Sequence, residues 1–433
     1  MSLPPLKYRG RLKDLAPEAR VRLLERSGGS DARVAQRTAE IIARVRRDGD
    51  RALREMAREF DRAELGSLEI PRSVCEAALA SLAPEVRAAL GRAARNIARA
   101  HAAQKPQPIE VETEPGILVG RRPDPLGRVG VYAPGGRAVY PSSVLMGVVP
   151  AKVAGVGEVI VCSPPGPDGT PSAGVLAAAA LAGADRVFAL GGAGAVAALA
   201  YGTASVPRVD RIVGPGNAYV AAAKLQVVDA VAIDAPAGPS EILVVADGSA
   251  DPEAVAREML AQAEHDPDAC CVTVTVGEAQ AEAVAMAVER LAARAQRREI
   301  VSRSLSERGA VLSVDSLEEA WPFVADFAPE HLLLATASPT EALPRVRNAG
   351  TVFVGQHASV AYGDYMTGAN HVLPTAGLAR AYSGLSVLDF YRWTTYQRVT
   401  REAAAGLAED VGVLADSEGL FAHAEAARAW RPS

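Results

Sequence analysis

Three polar side chains that can do chemistry lie close together in a stretch of small residues. Residues 355–375 (GQHASVAYGDYMTGANHVLPT) contain one carboxylate, Asp364, one amide, Asn370, and one imidazole, His371. A segment so rich in Gly, Ala, Ser and Thr buries little apolar surface. Its backbone is therefore expected to follow an irregular path, as in loops that carry chemistry on a rigid scaffold. For this stretch alone, a surface loop with a chance histidine is the alternative interpretation.

Two further polar pairs precede this segment. Gln262 and His265 are three residues apart near the end of a predicted helix and so share one helix face; a polar helix terminus is the alternative. Glu330 and His331 are adjacent and precede an apolar strand. Because histidine titrates near neutral pH, such a pair could divide proton transfers between two steps. Adjacent Glu-His pairs also occur by chance.

A last polar pair, Glu418 and His423, lies in the predicted C-terminal helix, where a lone histidine usually belongs to the surface or the core. The chain has six histidines, and all but His101 fall in these polar segments. This clustering favours one shared site. Imidazole and carboxylate ligands suit zinc or a similar divalent metal, and the candidates for one such site are Gln262, His265, Asp364 and His423. Without an HExxH motif or a cysteine ligand, an open site that accepts substrate atoms is expected.

Length, charge and cysteine usage limit the class of protein. A chain of 433 residues is too long for one ordinary core and is expected to form two or more domains. The net charge of -5 argues against a nucleic-acid partner. Apolar stretches are too short for a membrane span, and the first residues lack a secretion signal. The four cysteines form no CxxC pair, so we expect reduced cysteines in a cytoplasmic protein.

The elements that position these residues change along the chain. The first hundred residues predict helices, with Ser30 as an N-cap and a break at Gly49. From Arg128 short apolar runs alternate with Ala-rich helices, and a second such unit starts near residue 241. This alternation predicts parallel sheets covered on both faces, which bind ligands at the carboxyl ends of their strands. From about Asp389 the remainder is predicted to be helical.

Glycine turns mark three of the predicted strand ends in the first unit. Gly192, Gly194 and Ala197 form a G-x-G-x-x-A pattern between a strand and a helix, the context of a dinucleotide fingerprint. Asp210, the only acidic residue near the distance expected for a ribose contact, leads into the next strand instead of ending it. Two more turns, 133–137 (APGGR) and 214–217 (GPGN), also end strands. Three such turns at one sheet edge favour a cofactor site.

Seven segments in order resemble the histidinol dehydrogenase family over nearly the whole chain. They are RVGVYAPGGRAVYPSSVLMGVVPAKVAGV, DRIVGPGNAYV, DAPAGPSEILVVAD, AQAEHDPDA, FAPEHLLL, GDYMTGANHVLPT and EGLFAH. The resemblance implies a homodimeric zinc enzyme that oxidises L-histidinol to L-histidine through L-histidinal and reduces two NAD in sequence. A dehydrogenase of another small amino alcohol or polyol on the same scaffold is the alternative, and a non-catalytic metal-binding protein is a more distant one.

The resemblance also implies a role for particular residues. Glu330 and His331 would be the catalytic acid/base residues. Zinc would be bound by Gln262, His265, Asp364 and His423. The substrate would contact these six residues and also Ser240, His371 and Glu418. NAD would be bound at Tyr132, Gly194 and Asn217. The family usually carries Gln at the position of Gly194, so one cofactor contact is expected to be missing, and His357 is an addition without an assigned role.

The family implies an α/β fold with two Rossmann-like parallel-sheet domains and helical N- and C-terminal extensions. Residues 28–131 and 240–388 would form the first domain and residues 132–239 the second, NAD-binding domain. Residues 1–27 and 389–433 would be the extensions, and the dimer partner would contribute to each site. Aldehyde oxidation through a thiol would need a reactive cysteine. Because no cysteine lies in a polar segment, direct hydration of the aldehyde is expected, with Glu330 activating water.

Overall fold

The computed structural model describes residues 6–26, 32–135 and 140–431. The strands in this part of the chain are β1 (Tyr8–Arg11), β2 (Glu69–Ile70), β3 (Ile109–Glu114), β4 (Ile117–Pro125), β5 (Arg128–Tyr132), β6 (Glu158–Ser163), β7 (Arg186–Ala189), β8 (Arg211–Val213), β9 (Ala232–Ile233), β10 (Glu241–Ala246), β11 (Cys270–Val276), β12 (Gly309–Val314), β13 (His331–Ala335), β14 (Thr351–Val354) and β15 (Tyr391–Val399). The predicted N-cap Ser30 lies outside the described residues.

The α-helices surround these strands. They are α1 (Pro17–Leu24), α2 (Ala32–Met56), α3 (Arg72–Ser81), α4 (Pro84–Ala102), α5 (Pro141–Ala154), α6 (Ala173–Ala182), α7 (Gly192–Tyr201), α8 (Ala218–Gln226), α9 (Pro252–Ala263), α10 (Glu278–Ala292), α11 (Arg298–Arg308), α12 (Leu317–Phe327), α13 (Pro339–Ala342), α14 (Val360–Tyr365), α15 (Arg401–Ser417) and α16 (Phe421–Arg428). The predicted break in α2 is confirmed, since Gly49 has φ 53° and ψ -132°. None of the described helices has the length and apolar character needed to cross a membrane.

The first sheet has the strand order β2-β7-β6-β5-β8-β9. Its five strands from β7 to β9 are parallel, and β2 joins β7 antiparallel. The chain runs outward from β5 through β6 to β7 and then returns to the other side of β5 to form β8. This reversal between β5 and β8 is the topological switch point at which Rossmann-like sheets bind ligands.

The core of the first sheet includes helices that the sequence analysis assigned elsewhere. Ile42, Val45 and Leu53 of α2, together with Ile97 of α4, are buried in one cluster with Val131 of β5. Helices α2 and α4 therefore pack with the first sheet, whereas residues 28–131 were predicted to join 240–388. The physical reason is that the apolar faces of α2 and α4 cover the first sheet, whose strand β5 spans the predicted boundary between residues 131 and 132.

The second sheet has the order β1-β12-β11-β10-β13-β14 and is parallel throughout. Its strands read as continuous apolar runs because helices cover both faces. Strand β1 comes from the segment predicted to be an N-terminal extension. Tyr8 lies opposite Ala310, so this segment is an edge strand of the second sheet.

The third sheet is antiparallel, with the order β15-β4-β3. Its strand β15 corrects the prediction that the chain is helical from Asp389. The sequence YRWTTYQRV is rich in aromatic and β-branched residues and pairs with β4 along its whole length. Helices α15 and α16 then complete the described chain and pack against each other.

Candidate active site

The predicted catalytic residues lie at the amino edge of the second sheet. His331 is the first residue of β13 and pairs with Ile242 of β10, so Glu330 and Glu241 stand at the same edge. Helix α9 runs back from the carboxyl edge and ends at Ala263, which brings Gln262 and His265 to this edge as well. The expectation that ligands bind at the carboxyl ends of strands therefore does not describe this group of residues.

The backbone of Glu241 is hydrogen-bonded to both predicted catalytic side chains. The Glu241 N–H donates to Glu330 Oε2 over 2.7 Å, and the His331 Nδ1–H donates to the Glu241 carbonyl over 2.9 Å. A carbonyl acceptor requires the proton on Nδ1, which leaves Nε2 to face Asp364 Oδ1 at 3.5 Å. Within the described part of the chain, Nε2 is buried without a hydrogen-bond partner. It is therefore the atom available to a substrate.

The carboxylates around His331 favour its charged form. Burial disfavours the imidazolium, but Glu330 and Asp364 outweigh burial and raise the pKa of His331 well above its ordinary value. Burial raises the pKa of Glu330, and the charge of His331 opposes this shift in part. The pair can thus hold and pass a proton in a site largely closed to water.

Three of the four predicted metal ligands lie in one region. Gln262 is buried, and its Nε2 is 3.4 Å from His265 Nδ1. Burial lowers the pKa of His265, and the negative charge of Asp364 opposes that change. Across residues 6–26, 32–135 and 140–431, no cluster of three or more His, Cys, Asp or Glu side chains is arranged to hold a metal. An amide, an imidazole and a carboxylate are nevertheless a chemically suitable partial donor set.

His371 connects this edge to the unit of the first sheet. Its Nδ1–H donates to the Asp364 carbonyl over 2.9 Å, and Ser143 Oγ lies 3.4 Å from its Nε2. The Asn370 side chain donates to the Met146 carbonyl over 2.8 Å. Ser143 and Met146 belong to α5, whose first turn follows the carboxyl end of β5. The amino edge of the second sheet therefore faces the carboxyl edge of the first.

Glu418 and His423 are not brought to this group. Both are exposed, Glu418 at the end of α15 and His423 in α16. Ser240, in contrast, lies next to Glu241 at the site edge and is half-buried. The added His357 is exposed in the turn between β14 and α14.

Tyr132 and Asn217 lie at the switch point of the first sheet. Tyr132 ends β5, and its hydroxyl accepts the Gly192 N–H over 3.0 Å. Gly214 follows β8 with φ 112°, and a Cβ there would lie 2.1 Å from the Tyr132 carbonyl oxygen. Asn217 caps α8 by accepting from two backbone N–H groups, which leaves its side-chain NH₂ as a donor. Glycine is thus required where the two strand ends meet.

Gly194 occupies a packing position in α7. A Cβ on it would lie 3.1 Å from Met56 Sδ and 3.5 Å from Leu53 Cδ2, both in α2. The first glycine of the pattern, Gly192, has φ 61° and ends the turn. Of the 133–137 turn, residues 136 and 137 lie outside the described chain.

Three charged residues near the site were missed by the sequence analysis. Glu241 begins an otherwise apolar strand, and this misplaced charge was the one available signal. Arg26 is buried against Glu241, although it comes from the predicted N-terminal extension. Asp61 lies near Tyr132, where its charge adds to the burial that raises the pKa of Tyr132 to about 12. No local pattern distinguishes Arg26 or Asp61 from surface charges.

Known proteins resemble this chain over nearly its whole length. The family model for histidinol dehydrogenase matches residues 24–431. The chain is 51% identical over 414 residues to the histidinol dehydrogenase of Natronomonas pharaonis (95% of this chain, 97% of the relative) and 47% identical over 419 residues to that of Methanosarcina barkeri (96% of each). The crystal structure of histidinol dehydrogenase from Elizabethkingia anophelis matches with a TM-score of 0.93 at 34% identity, covering 99% of this chain and 98% of that one. The chain therefore belongs to the histidinol dehydrogenase family.

Proposed function

We propose that this enzyme oxidises L-histidinol to L-histidine through L-histidinal and reduces two NAD in sequence, the last oxidations of histidine biosynthesis. The observation that carries the proposal is the buried Glu330–His331 pair beside Asp364, in a member of this family. NADH formed from histidinol is the test, with about two NADH expected per histidinol consumed. If another amino alcohol is oxidised and histidinol is not, the substrate assignment is wrong.

His331 is proposed to accept the hydroxyl proton in the first oxidation. Its Nδ1–H is held by the Glu241 carbonyl, so Nε2 is the proton acceptor. The neighbouring carboxylates stabilise the imidazolium, so the step starts from the fraction of the enzyme in which Nε2 carries no proton. NAD supplies the hydride acceptor for the hydrogen that leaves the alcohol carbon. The products of this step are the aldehyde, NADH and a protonated His331.

Glu330 is proposed to activate water in the second oxidation. It takes a proton from the water that adds to the aldehyde, and the hydrated carbon then loses a second hydride to give the acid. A thiol route is disfavoured because all four cysteines are buried and burial raises their pKa, in the case of Cys270 to about 12. The proposed route therefore hydrates the aldehyde by general base catalysis and forms no covalent intermediate with a cysteine.

Gln262, His265 and Asp364 are proposed to bind zinc, with His423 as a further ligand. Bound zinc would hold nitrogen atoms of the substrate and orient its alcohol carbon. His265→Ala and Asp364→Ala should each lower bound zinc and activity together while the protein stays folded. Elemental analysis and thermal unfolding of the purified variants check this. Full zinc occupancy in both variants would contradict the assignment.

A second copy of the chain is proposed to deliver Glu418 and His423. Both are exposed beside the apolar side chains of Leu414, Leu420 and Phe421, which are 67%, 45% and 65% exposed. Exposed apolar side chains grouped in this way are typical of a surface covered by a partner. A homodimer would bury them and bring the two polar residues to the partner's site.

The NAD contacts are proposed at Tyr132, Gly194 and Asn217. Tyr132 ends one of the two strands that flank the switch point and Asn217 follows the other, and each retains a hydrogen-bond donor. A contact at Gly194 would be limited to its backbone.

We further propose a reducing, cytoplasmic setting, because the four cysteines are unpaired. Cell fractionation tests that setting.

A further inference from the structure

We propose that Arg26 and Glu241 are positioning residues that hold Glu330 and His331 in their catalytic geometry. The inference rests on the proposed catalytic roles of the latter two. It extends the site to the N-terminal segment, which contributes none of the candidate catalytic, metal-binding or cofactor-binding residues.

Both proposed catalytic side chains depend on the position of the Glu241 backbone. Glu241 donates its N–H to Glu330 and accepts from His331 Nδ1 through its carbonyl. A displacement of this residue moves both partners. It also changes which nitrogen of His331 carries the proton, because the carbonyl acceptor is what keeps that proton on Nδ1.

The side chain of Glu241 is in turn fixed by the buried guanidinium of Arg26. Arg26 Nε and Nη2 donate to the two carboxylate oxygens of Glu241 over 2.7 Å and 3.1 Å, and the Ala376 N–H donates to the same group over 2.8 Å. Arg26 is 3% exposed and Glu241 2% exposed. Planar, bidentate geometry of this kind restricts orientation as well as distance.

Arg26 also contacts the segment that leads into Glu330. Its guanidinium carbon lies 3.5 Å from the centre of the Phe327 ring, and Nη2 donates to the Phe327 carbonyl. Ala328 follows with φ 45°, a conformation that L-residues adopt rarely and that surrounding contacts must maintain. Arg26 thus connects the start of β10 to the turn before β13.

Loss of this connection is expected to affect turnover more than binding. A misplacement of about 1 Å at reacting groups can lower a rate by roughly 100-fold. Glu241→Gln keeps the shape of the side chain but removes the charge that Arg26 requires. We expect kcat to fall by about 10- to 100-fold, with KM for histidinol changed by less than about threefold.

The experiment compares Glu241→Gln, Arg26→Met, Arg26→Lys and the double variant Arg26→Met/Glu241→Gln. Arg20→Met is the matched control, because Arg20 also joins the N-terminal segment to α12, through Asp326 and the Phe323 ring, without a contact to Glu241. Each protein is assayed for kcat and KM with histidinol and for its thermal unfolding midpoint.

Support requires lowered kcat in Glu241→Gln and Arg26→Met, partial rescue in Arg26→Lys, and the wild-type kcat in Arg20→Met. If Arg26→Met alone fails to fold, the double variant decides, since it leaves no uncompensated buried charge: it should fold and still have low kcat. A folded Glu241→Gln or double variant with kcat within about twofold of wild type overturns the proposal. Wild-type protein that forms no NADH from histidinol refutes the proposed function instead.

Discussion

Glu330 and His331 are adjacent in the chain, yet their surroundings suit them to the two different roles proposed for them. His331 has a fixed Nδ1–H and an Nε2 without a hydrogen-bond partner among the described residues, which suits a proton acceptor. Glu330 is buried, and its Oε2 accepts a backbone N–H, so its carboxylate is held in place for one reaction partner. Separate substitutions should therefore separate the two oxidations.

His331→Asn should slow both oxidations, because each step removes a proton, whereas Glu330→Gln should slow aldehyde oxidation far more than alcohol oxidation. Glutamine can still accept the Glu241 N–H, so the geometry is retained and only the base is lost. A loss of about 100-fold is expected for a missing general base. Rates measured separately from histidinol and from histidinal check this. Equal losses in both steps for Glu330→Gln would remove the reason to name it the water-activating base.

Asp61 makes the stability of the protein depend on pH. Burial raises the pKa of Asp61 to about 6, above the ordinary value of 3.8. Between these two values the folded protein binds more protons than the unfolded chain, so stability falls as pH rises through this window. The free energy of unfolding of Asp61→Asn should therefore exceed that of wild type at pH 7. The expected gain is on the order of 1 kcal/mol after allowance for the partial exposure of Asp61, and no such gain is expected near pH 3.5.

Unfolding midpoints measured from pH 3.5 to pH 7.5 test this dependence. Asp50→Asn is a useful opposite control. Burial alone would raise the pKa of Asp50, but hydrogen bonds from Ser205 and Thr203 outweigh burial and lower it. The ionised Asp50 carboxylate therefore stabilises the folded protein above about pH 4, and this contribution is lost as pH falls. An Asp61→Asn effect that is the same at every pH would refute the assignment.

At the scale of elements, the contact between α2 and α7 explains Gly194 without reference to a cofactor. The resemblance to the family implied that Gly194 lacks a cofactor contact that a glutamine could make. Gly194 is not among the glycines with positive φ, and its missing Cβ points at Met56 and Leu53. These side chains are buried in the core of the first sheet. A side chain at position 194 would therefore have to fit into the packed contact between α7 and α2.

Gly194→Gln should lower the free energy of unfolding by about 1–3 kcal/mol, the usual cost of overpacking. Gly194→Ala should cost much less, because its Cβ would be tight only against Sδ of the flexible Met56 side chain and would make ordinary contact with Leu53. Thermal unfolding compares the two variants, and calorimetry measures their NAD affinity. Tighter NAD binding by a fully stable Gly194→Gln would support the cofactor explanation instead.

At the scale of the whole molecule, the site described within one chain lacks two of its predicted members. Glu330, His331, Asp364 and His371 form a connected group, whereas Glu418 and His423 are exposed at the C-terminal helices. A symmetric dimer would exchange the same surface in both directions and complete two equivalent sites. Complementation between two inactive chains can test this arrangement.

Glu330→Gln and His423→Ala should each oxidise histidinal poorly as homodimers but recover this activity after joint refolding. In the mixed dimer, one site combines an intact Glu330 from one chain with an intact His423 from the other. About a quarter of all sites should then be active after random pairing of the two chains. The activity of the mixture relative to refolded wild type is the measurement. If no activity is regained, His423 acts within its own chain or has no role.

The sequence by itself determined the alternation of strands and helices, the break at Gly49, the glycine turns and most candidate site residues. These features depend on near neighbours: apolar runs favour strands, and glycine permits backbone angles that other residues disfavour. Even so, β15 escaped prediction, because its pairing with β4 comes from a segment about 270 residues away. Local pattern also could not show that α2 and α4 cover the first sheet.

Only the tertiary structure decided how the functional groups meet. It placed Glu330 and His331 at the amino edge of the second sheet, against the carboxyl edge of the first, and it brought Arg26 to Glu241 across 215 positions of sequence. It also separated His423 from the other predicted ligands within the chain. The physical reason is that such contacts are fixed by strand register and by the burial of charge beside its partner. Both arise only when distant segments pack together.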